Sequence, residues 1–415
     1  MSVINVVIIG NSAAGIAAAE SLRLLEPGAG ITVVTEENHP PYSRCRVAEV
    51  VAGSAGLNDI RYRPDSFYQN REIRLVRGVR VTSIDPAGGR IVLGEKGDIS
   101  YDRLLVATGS CPVGAGVKGS GLGGIFALRN FDQAVAIGRT VAAVEHAVVI
   151  GGGLVGLKAA HALRSRGLYK VMVVVKSSHL LMRQLDAESA AIVERELAEA
   201  GIDFIYGLNP TGFVPKAGQD RVGSVVLEDG REIPAELVLV AKGVRPNTEL
   251  VREAGGEIGA GIRVNEFMET SLPGVYAAGD CIEVRDQVTG RLTPSALWTL
   301  AVEQGRYAAC NMAGMRKAYQ PPLTRLNAAQ FGKLPFVSVG AVDEGEEFLT
   351  HRETGGVYRK LALREDRLTG FILAGSVERA GVYTALVKKS VPVTGALKNK
   401  LLEGTVSAAD IMMLR

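Results

Sequence analysis

The sequence has 415 residues, of which 47% are hydrophobic and 22% charged, and its formal net charge is +3. This length is typical of two or three globular domains. The small net charge, without any Lys/Arg block, argues against nucleic acid or a membrane surface as partner. No apolar run reaches the roughly 18 residues of a membrane span. Residues 3–9 are predicted to form a strand with no basic region before it, so a signal peptide is not expected.

The four cysteines are scattered along the chain, at Cys45, Cys111, Cys281 and Cys310. None belongs to a Cys-x-x-Cys motif, which excludes a self-contained iron–sulfur or zinc site on spacing grounds. No metal site is therefore expected, and the pattern favours a reducing cytoplasm.

The first motif follows the strand at residues 3–9, whose continuous apolar character is typical of a strand buried on both faces. Residues 10–15 have the dinucleotide fingerprint G-x-G-x-x-G with Ser12 in place of the middle glycine. An Ala-rich helix to about Leu25 and a second strand at 31–35 complete a βαβ unit. Gly10 is expected to make the turn, the helix N-terminus to receive a pyrophosphate, and Glu36 to bind ribose hydroxyls.

The same pattern returns after a strand at residues 148–150. Gly151, Gly153 and Gly156 supply all three glycines of the fingerprint, and a helix to about Arg166 and a strand at 171–175 follow. Two complete fingerprints in one chain indicate either two bound dinucleotides or a duplicated domain with one decayed copy, and the intact spacing of both favours two ligands.

A third stretch, residues 270–281, reads as a short buried strand that ends in a tight turn at Gly279 and Asp280. Its small residues allow a flat ligand to approach the backbone, and Asp280 is placed to accept hydrogen bonds from a sugar-like hydroxyl. Apolar strands at 101–109 and 237–247 look like the segments that leave and re-enter a domain holding an inserted one.

The chain after Asp280 is predicted to form a long helix from about Ala296 to Met312. From Asn327 onward short strands dominate, with a hairpin of residues 357–363 and 368–374 followed by a helix from Ala380 to Lys389. The predicted fold class is α/β, with two Rossmann-like dinucleotide-binding domains, one inserted in the other, and a C-terminal α+β domain.

These motifs occur in the order found in pyridine nucleotide–disulfide oxidoreductases, and the chain resembles that two-dinucleotide flavoprotein family over essentially its whole length. Its C-terminal part, including residues 376–384, looks most like NADH:rubredoxin reductases, the flavin domain of NADH-dependent nitrite reductases and flavoprotein subunits that connect NAD to iron–sulfur complexes. The resemblance implies an FAD domain of residues 1–114 and 248–320, an NAD(P) domain of 115–247 and an interface domain of 321–415.

The resemblance also assigns cofactor contacts. The residues implied for FAD are Gly10, Ser12, Ala13, Ala14, Gly15, Glu36, Arg44, Arg46, Ala107, Thr108, Gly109, Gly279 and Asp280, the last on the ribityl chain. Those implied for NAD(P)H are Gly151, Gly153, Leu154, Val155, Gly156, Lys176 and Gly243.

Departures from the family pattern bear on the reaction. The first domain offers only Cys45 where disulfide reductases carry a Cys-x4-Cys pair, and no His-x4-Glu follows His351, so glutathione-reductase chemistry is excluded. Cys45 lies near the redox thiol of the single-cysteine branch, and Arg44 and Arg46 would favour its thiolate. Arg46, however, stands where that branch has glycine, so Cys45 is either redox-active or structural.

Two lysines also depart from the pattern. Lys158 replaces a glutamate of many relatives; it is either a solvated helix residue or a cation that stabilises anionic reduced flavin. Lys176, with two serines after it, stands where an NAD-selective site has an acid, so a 2′-phosphate can be accommodated and NADPH stays open.

The sequence leaves three functions open. The first is an FAD-dependent NAD(P)H oxidoreductase that exchanges electrons with rubredoxin, ferredoxin or an iron–sulfur subunit of a larger complex, in either direction. The second is a single-cysteine reductase of coenzyme A disulfide or persulfide, or an NADH oxidase, using Cys45. The third is a redox-sensing nucleotide-binding protein. The partner is expected to be a protein carrier or subunit, with a homodimer or hetero-oligomer both compatible with the sequence.

Overall fold

The computed structural model describes residues 4–412. The chain divides into two compact units, the first comprising residues up to Arg46, Gly56–Cys111 and Val244–Thr324, the second Val47–Ala55, Pro112–Gly243 and Arg325 onward. The finer division into three domains stays a prediction.

The chain up to residue 243 alternates strands and helices. Its elements are β1 (Asn5–Ile9), α1 (Ala13–Leu25), β2 (Gly30–Thr35), α2 (Val47–Ala52), α3 (Phe67–Asn70), β3 (Ile73–Arg77), β4 (Ser83–Asp85), β5 (Arg90–Val92), β6 (Asp98–Ser100), β7 (Arg103–Val106), β8 (Ser110–Pro112), β9 (Ile125–Phe126), α4 (Phe131–Val141), β10 (His146–Ile150), α5 (Leu154–Ser165), β11 (Lys170–Val175), α6 (Ala187–Glu199), β12 (Ile202–Tyr206), β13 (Pro210–Pro215), β14 (Val222–Leu227), β15 (Glu232–Pro234) and β16 (Leu237–Val240). The predicted first strand began at Val3, which lies outside the described residues.

The remaining chain is richer in antiparallel strands. Its elements are β17 (Val244–Pro246), α7 (Glu249–Glu253), β18 (Ile262–Arg263), β19 (Val275–Ala277), β20 (Ile282–Arg285), β21 (Leu292–Pro294), α8 (Trp298–Met312), β22 (Leu326–Phe331), β23 (Leu334–Gly340), β24 (Glu347–Glu353), β25 (Val357–Arg364), β26 (Arg367–Ala374), α9 (Ala380–Lys389), α10 (Ala396–Glu403) and α11 (Ala408–Met412). No helix within residues 4–412 has the length and apolar character needed to cross a bilayer.

The first unit is built on a five-stranded parallel sheet with the order β19-β7-β1-β2-β3. Its central strand is buried at Val6, Val7 and Ile8, which explains the continuous apolar run. α1 packs on α8 at a glycine, since a Cβ on Gly305 would lie 2.2 Å from the Ala14 carbonyl oxygen. Two three-stranded sheets, β4-β5-β6 and β18-β20-β21, also belong to this unit.

The second unit contains a matching sheet of order β12-β11-β10-β16-β9, whose strands are also parallel. An antiparallel sheet, β13-β14-β15, adjoins it in sequence. The two parallel sheets with their glycine loops confirm the predicted α/β class.

The C-terminal part of the second unit is an antiparallel sheet of order β22-β23-β26-β25-β24. The predicted hairpin is confirmed as β25 and β26, and its two turn residues, Glu365 and Asp366, have φ values of 50° and 55°, as a type I′ turn requires. The predicted helix α9 is confirmed at both ends. The predicted long helix begins two residues later than expected, at Trp298.

Side chains join this C-terminal sheet to the loop between β11 and α6 of the same unit. The Tyr358 hydroxyl donates to Asp186 Oδ2 at 2.6 Å, and Lys360 Nζ lies 3.2 Å from the same atom. Ser338 donates to the Gln184 carbonyl oxygen at 2.5 Å. Burial opposes ionisation of Asp186, but hydrogen bonds from Ser189 and Tyr358 outweigh it and lower the pKa of this carboxyl.

Candidate dinucleotide-binding sites

The first glycine loop has a backbone that only glycine can follow at two positions. Gly10 has φ of +119°, and a Cβ there would lie 2.2 Å from the Ala107 carbonyl oxygen. A Cβ on Gly15 would lie 1.9 Å from the Gly10 carbonyl oxygen. Gly10 therefore allows the turn beside Ala107, and Gly15 allows α1 to pack closely on that turn.

Ser12 is the N-cap residue of α1, but its side chain does not cap the helix. No acidic residue lies in the first turn, where the small residues Ala13 and Ala14 are buried. By contrast, α4 and α6 are capped by the side chains of Asn130 and Asp186. The N-terminal N–H groups of α1 thus remain suited to an anionic ligand such as a pyrophosphate.

A small cavity of ≈ 20 Å³ opens beside this loop. Its walls include Asn11, Ser12, Thr35, Glu37, Tyr42 and Arg44. The acid on the cavity is Glu37, which accepts a hydrogen bond of 2.6 Å from the Tyr42 hydroxyl and an ion pair from Arg44. Glu36, the acid singled out from the sequence, is exposed and does not line the cavity.

Arg44 carries the positive charge at this cavity. Burial works to lower the pKa of its guanidinium, but Tyr42, Glu37 and Asp280 outweigh burial and raise that pKa. The guanidinium also lies over the Tyr42 ring, 5.5 Å from its centroid. Arg44 is therefore held charged, near the Asp280 carboxylate and against the walls of the cavity.

The two residues after Arg44, Cys45 and Arg46, have different surroundings. Cys45 is exposed on a 3-10 helix of residues Arg44–Arg46. Arg46 donates a hydrogen bond to the Asp59 carbonyl oxygen. Neither Cys45 nor Arg46 lines the cavity, so Arg44 is the residue of this 3-10 helix that contacts it.

The segments that follow β7 and β19 hold a second group of predicted residues, namely 107–109 and 279–280. Because these neighbouring strands are parallel, both segments lie at the same edge of the sheet. Asp280 Oδ2 accepts a 3.1 Å hydrogen bond from Ser110, whose side chain is buried. Gly279 has φ of +87° and donates its N–H to Gln304 Oε1 at 2.9 Å. Ser110 is a residue that sequence reasoning missed, although it directly follows the motif 107–109.

The 107–109 motif is fixed by Asn247. Thr108 Oγ1 donates to the Asn247 carbonyl oxygen at 3.0 Å, and Asn247 Nδ2 donates to the Thr108 carbonyl oxygen at 2.9 Å. The Asn247 N–H also donates to the Gly109 carbonyl oxygen at 2.9 Å. These reciprocal bonds hold the small-residue turn at the carboxyl edge of the first sheet.

Cys281, next to Asp280, is a structural thiol. It is fully buried, and its Sγ lies within hydrogen-bond distance of the carbonyl oxygens of Val106 (3.5 Å) and Ala278 (3.3 Å). Burial raises the pKa of this thiol to about 11. Cys281 is therefore protonated at neutral pH and cannot supply a thiolate nucleophile.

The second glycine loop repeats the geometry of the first. Gly151 has φ of +120°, with a Cβ position 2.4 Å from the Ala241 carbonyl oxygen, and a Cβ on Gly156 would lie 2.1 Å from the Gly151 carbonyl oxygen. The middle glycine differs, since no atom lies within 4 Å of the Cβ position of Gly153. Gly153 is also the N-cap of α5, which has no side-chain cap and no acid in its first turn.

Other predicted residues of the second unit lie around this loop or on α5. Leu154 is half-buried and Val155 exposed in the first turn of α5, and Gly243 has open space at its Cβ position. Lys158, one turn further along α5, is half-buried, and its side chain makes no hydrogen bond or ion pair with any other residue between 4 and 412. Lys176 directly follows β11 and is exposed.

Both loops have features that suit a dinucleotide. Each has the glycine-dependent turn and a helix N-terminus without a side-chain cap, and the second also has open space at Gly153. These are the features that a pyrophosphate requires of a Rossmann unit.

The fold and the two loops together define a protein with two dinucleotide-binding modules in one chain. The chain belongs to the pyridine nucleotide-disulphide oxidoreductase family, whose family model matches residues 4–305. Members of this family use FAD and NAD(P)H, so the predicted family and cofactor pair are confirmed.

Three similar proteins illustrate the range of the family. The assimilatory nitrate reductase electron transfer subunit of Bacillus subtilis (strain 168) is 32% identical over 388 residues, which cover 92% of this chain and 49% of that protein. A chain in the crystal structure of the covalent putidaredoxin reductase–putidaredoxin complex is 27% identical, with a TM-score of 0.89 and coverage of 99% of this chain and 98% of that one. A NAD-dependent persulfide reductase from A. fulgidus is 28% identical, with a TM-score of 0.87 and coverage of 94% and 78%. The chain thus spans about half the length of the first of these relatives.

Proposed function

We propose that this chain is an FAD-dependent NAD(P)H oxidoreductase that exchanges electrons with a protein carrier or an iron–sulfur subunit. The observation that carries this proposal is the pair of glycine loops, each followed by a helix N-terminus without a side-chain cap. The cysteines of the first unit agree with it, because Cys45 is exposed and the Cys281 thiol, beside Asp280, is buried and protonated. Cys45 and Cys281 therefore give no support to a dithiol relay, whereas transfer from a flavin to a carrier needs no protein nucleophile.

The proposal assigns FAD to the first loop. The α1 N-terminus and Arg44 would hold the pyrophosphate, Glu37 would take the ribose role predicted for Glu36, and Asp280 with Ser110 would hold the ribityl hydroxyls. When bound, FAD supplies two-electron exchange with a nicotinamide and one-electron exchange with a carrier. The chain's own part is to orient the flavin and to set the charge around it.

The second loop is assigned to the nicotinamide dinucleotide. The α5 N-terminus and Gly153 would hold its pyrophosphate, with Leu154, Val155 and Gly243 lining its path. Lys158 is assigned an electrostatic part, because a half-buried ammonium that has no partner among residues 4–412 is available to stabilise negative charge on a ligand.

The partner is inferred from chemistry and from the relatives. A relative named as an electron transfer subunit and another caught in a complex with putidaredoxin both support a protein partner. The three-domain division at residues 114, 247 and 320 is part of this proposal, with residues 321–415 as the interface domain. A cytoplasmic location is proposed on the ground that Cys111, Cys281 and Cys310 are free thiols.

A second candidate function is a single-cysteine persulfide or coenzyme A disulfide reductase. The exposure of Cys45 between two arginines favours it, as does the likeness to a persulfide reductase. The two functions differ in one requirement: the thiol enzyme needs the Cys45 thiolate, and the electron-transfer enzyme does not.

The Cys45→Ser variant separates them. Because serine keeps the shape and removes the thiolate, we expect NAD(P)H-driven reduction of rubredoxin, ferredoxin or a dye to stay within a few-fold of the wild type. Anaerobic titration of the wild type with NADH should show no thiolate-to-flavin charge-transfer band.

The matched control is Cys310→Ser, which removes a thiol from α8 without touching the 44–46 helix. Loss of turnover with every acceptor in Cys45→Ser alone would replace the carrier function by the thiol function.

A further inference from the structure

The loop between β11 and α6, residues 176–186, flanks the second glycine loop. Because β10 and β11 are parallel neighbours, this loop leaves the same edge of the sheet as the glycine loop after β10. The Leu181 N–H donates to the Gly152 carbonyl oxygen at 2.9 Å, and a Cβ on Gly152 would meet the Leu180 side chain at 3.3 Å. Ligands of open α/β sheets bind at this edge, outside the carboxyl ends of the strands. The position of the 176–186 loop therefore affects the backbone that a dinucleotide would approach.

The contact with Gly152 is made by a residue in an unfavourable conformation. Leu181 has φ of +52°, in the left-handed region that a residue with a side chain rarely adopts, and its side chain is buried. Such a conformation persists where the surrounding structure holds it in place. The 176–186 loop therefore depends on contacts from other elements.

Two strands of the C-terminal sheet supply such contacts. From β25, the Tyr358 hydroxyl donates to Asp186 Oδ2 at 2.6 Å, and Lys360 Nζ lies 3.2 Å from the same oxygen. From β23, the Ser338 hydroxyl donates to the Gln184 carbonyl oxygen. Tyr358 and Ser338 are both buried, so water competes little for these hydrogen bonds.

The two carboxylate oxygens of Asp186 have different partners. Oδ1 caps α6, since it accepts hydrogen bonds from the Ser189 N–H at 3.0 Å and from the Ser189 hydroxyl at 2.6 Å. Oδ2 accepts from Tyr358 on the C-terminal sheet. Removal of the Tyr358 hydroxyl therefore leaves the helix cap in place and weakens the link between the C-terminal sheet and the 176–186 loop.

We propose that Tyr358 is a positioning residue for the second dinucleotide site, which acts through Asp186 to hold the 176–186 loop against the second glycine loop. The affinity for a dinucleotide then depends on the C-terminal sheet, and by linkage a bound dinucleotide stabilises the contact between that sheet and the loop. This inference rests on the proposed function, because it concerns the site assigned to the nicotinamide dinucleotide.

The test is calorimetric binding of NAD⁺ and NADP⁺ to the FAD-loaded Tyr358→Phe variant. The oxidised dinucleotides leave the flavin unreduced, so the result does not depend on any electron acceptor. We expect the variant to bind whichever dinucleotide the wild type binds about three- to tenfold more weakly, which is the usual size of a coupling through packed residues. Ser338→Ala, which removes the second contact to the loop, should weaken binding in the same direction.

The matched control is Tyr383→Phe. Tyr383 is also a fully buried tyrosine, and its hydroxyl donates to the Leu401 carbonyl oxygen, within the C-terminal part of the chain. Both variants lose one buried hydrogen bond and should show similar falls in melting temperature. Only Tyr358→Phe should weaken dinucleotide binding, and only Tyr358→Phe should speed amide hydrogen exchange in residues 180–185 of the protein without dinucleotide.

The outcomes separate this inference from the function it rests on. Wild-type affinity in both Tyr358→Phe and Ser338→Ala, or an equal loss of affinity in Tyr358→Phe and Tyr383→Phe, would overturn the positioning role and leave the second site standing. Failure of the wild type to bind either dinucleotide would overturn the second site itself, and the positioning role with it.

Discussion

Asp280→Ala is expected to lose most of its FAD during purification. The variant removes the carboxylate that accepts from Ser110 and that we assign to the ribityl hydroxyls, so these hydroxyls lose their acceptor. An unpaired buried polar group costs about 1–3 kcal/mol, which corresponds to about 5- to 150-fold in the FAD dissociation constant. The measurement is FAD released per chain after denaturation, and the affinity of the apoprotein for added FAD.

Two variants control this experiment. Asp280→Asn keeps the shape and an acceptor oxygen for Ser110, and should retain more FAD than the alanine variant. Ser110→Ala removes the buried donor alone and should weaken FAD least. Full FAD content in Asp280→Ala would show that the ribityl chain is held elsewhere.

Gly153→Ala is expected to abolish tight NAD(P)H binding without unfolding the protein. The Cβ has no neighbour within 4 Å, and Gly153 has a negative φ of −86°, so alanine fits the fold. The new methyl group would stand where the backbone approaches the pyrophosphate. A loss of at least tenfold in affinity, or about 1.4 kcal/mol, is expected with an unchanged melting temperature.

Gly156→Ala is the matched contrast on the same loop. Its Cβ would lie 2.1 Å from the Gly151 carbonyl oxygen. This is a backbone atom, so relieving the clash would require the whole turn to move. This variant should lower the melting temperature as well as the affinity. Wild-type affinity in Gly153→Ala would mean that the pyrophosphate does not approach this residue.

Regular elements with a strong pattern could be predicted from the sequence. The apolar strands before and after each glycine loop, and the helices between them, fall close to their predicted places, because strands buried on both faces are continuous apolar runs. The β25–β26 hairpin followed from period-two alternation around a short polar turn. The three-stranded sheets of the first unit were not predicted, since strands of two to four residues carry almost no periodic signal.

The details of the first site depend on geometry that the sequence does not display. Glu36 and Glu37 are adjacent, and neighbouring side chains leave an extended backbone in opposite directions, so a shift of one residue decides which acid lines the cavity. The Ser110–Asp280 hydrogen bond joins residues 170 positions apart, through two strands that become neighbours only in the folded sheet.

We propose that electrons pass between a nicotinamide, one flavin and a protein carrier. The most direct test is an anaerobic optical experiment on the purified protein. We expect one FAD per chain, bleaching of the flavin band by NADPH or NADH, and recovery of that band on addition of oxidised rubredoxin or ferredoxin. A protein that takes up no FAD, or a reduced flavin that is reoxidised by a persulfide or coenzyme A disulfide but by no protein carrier, would contradict the account.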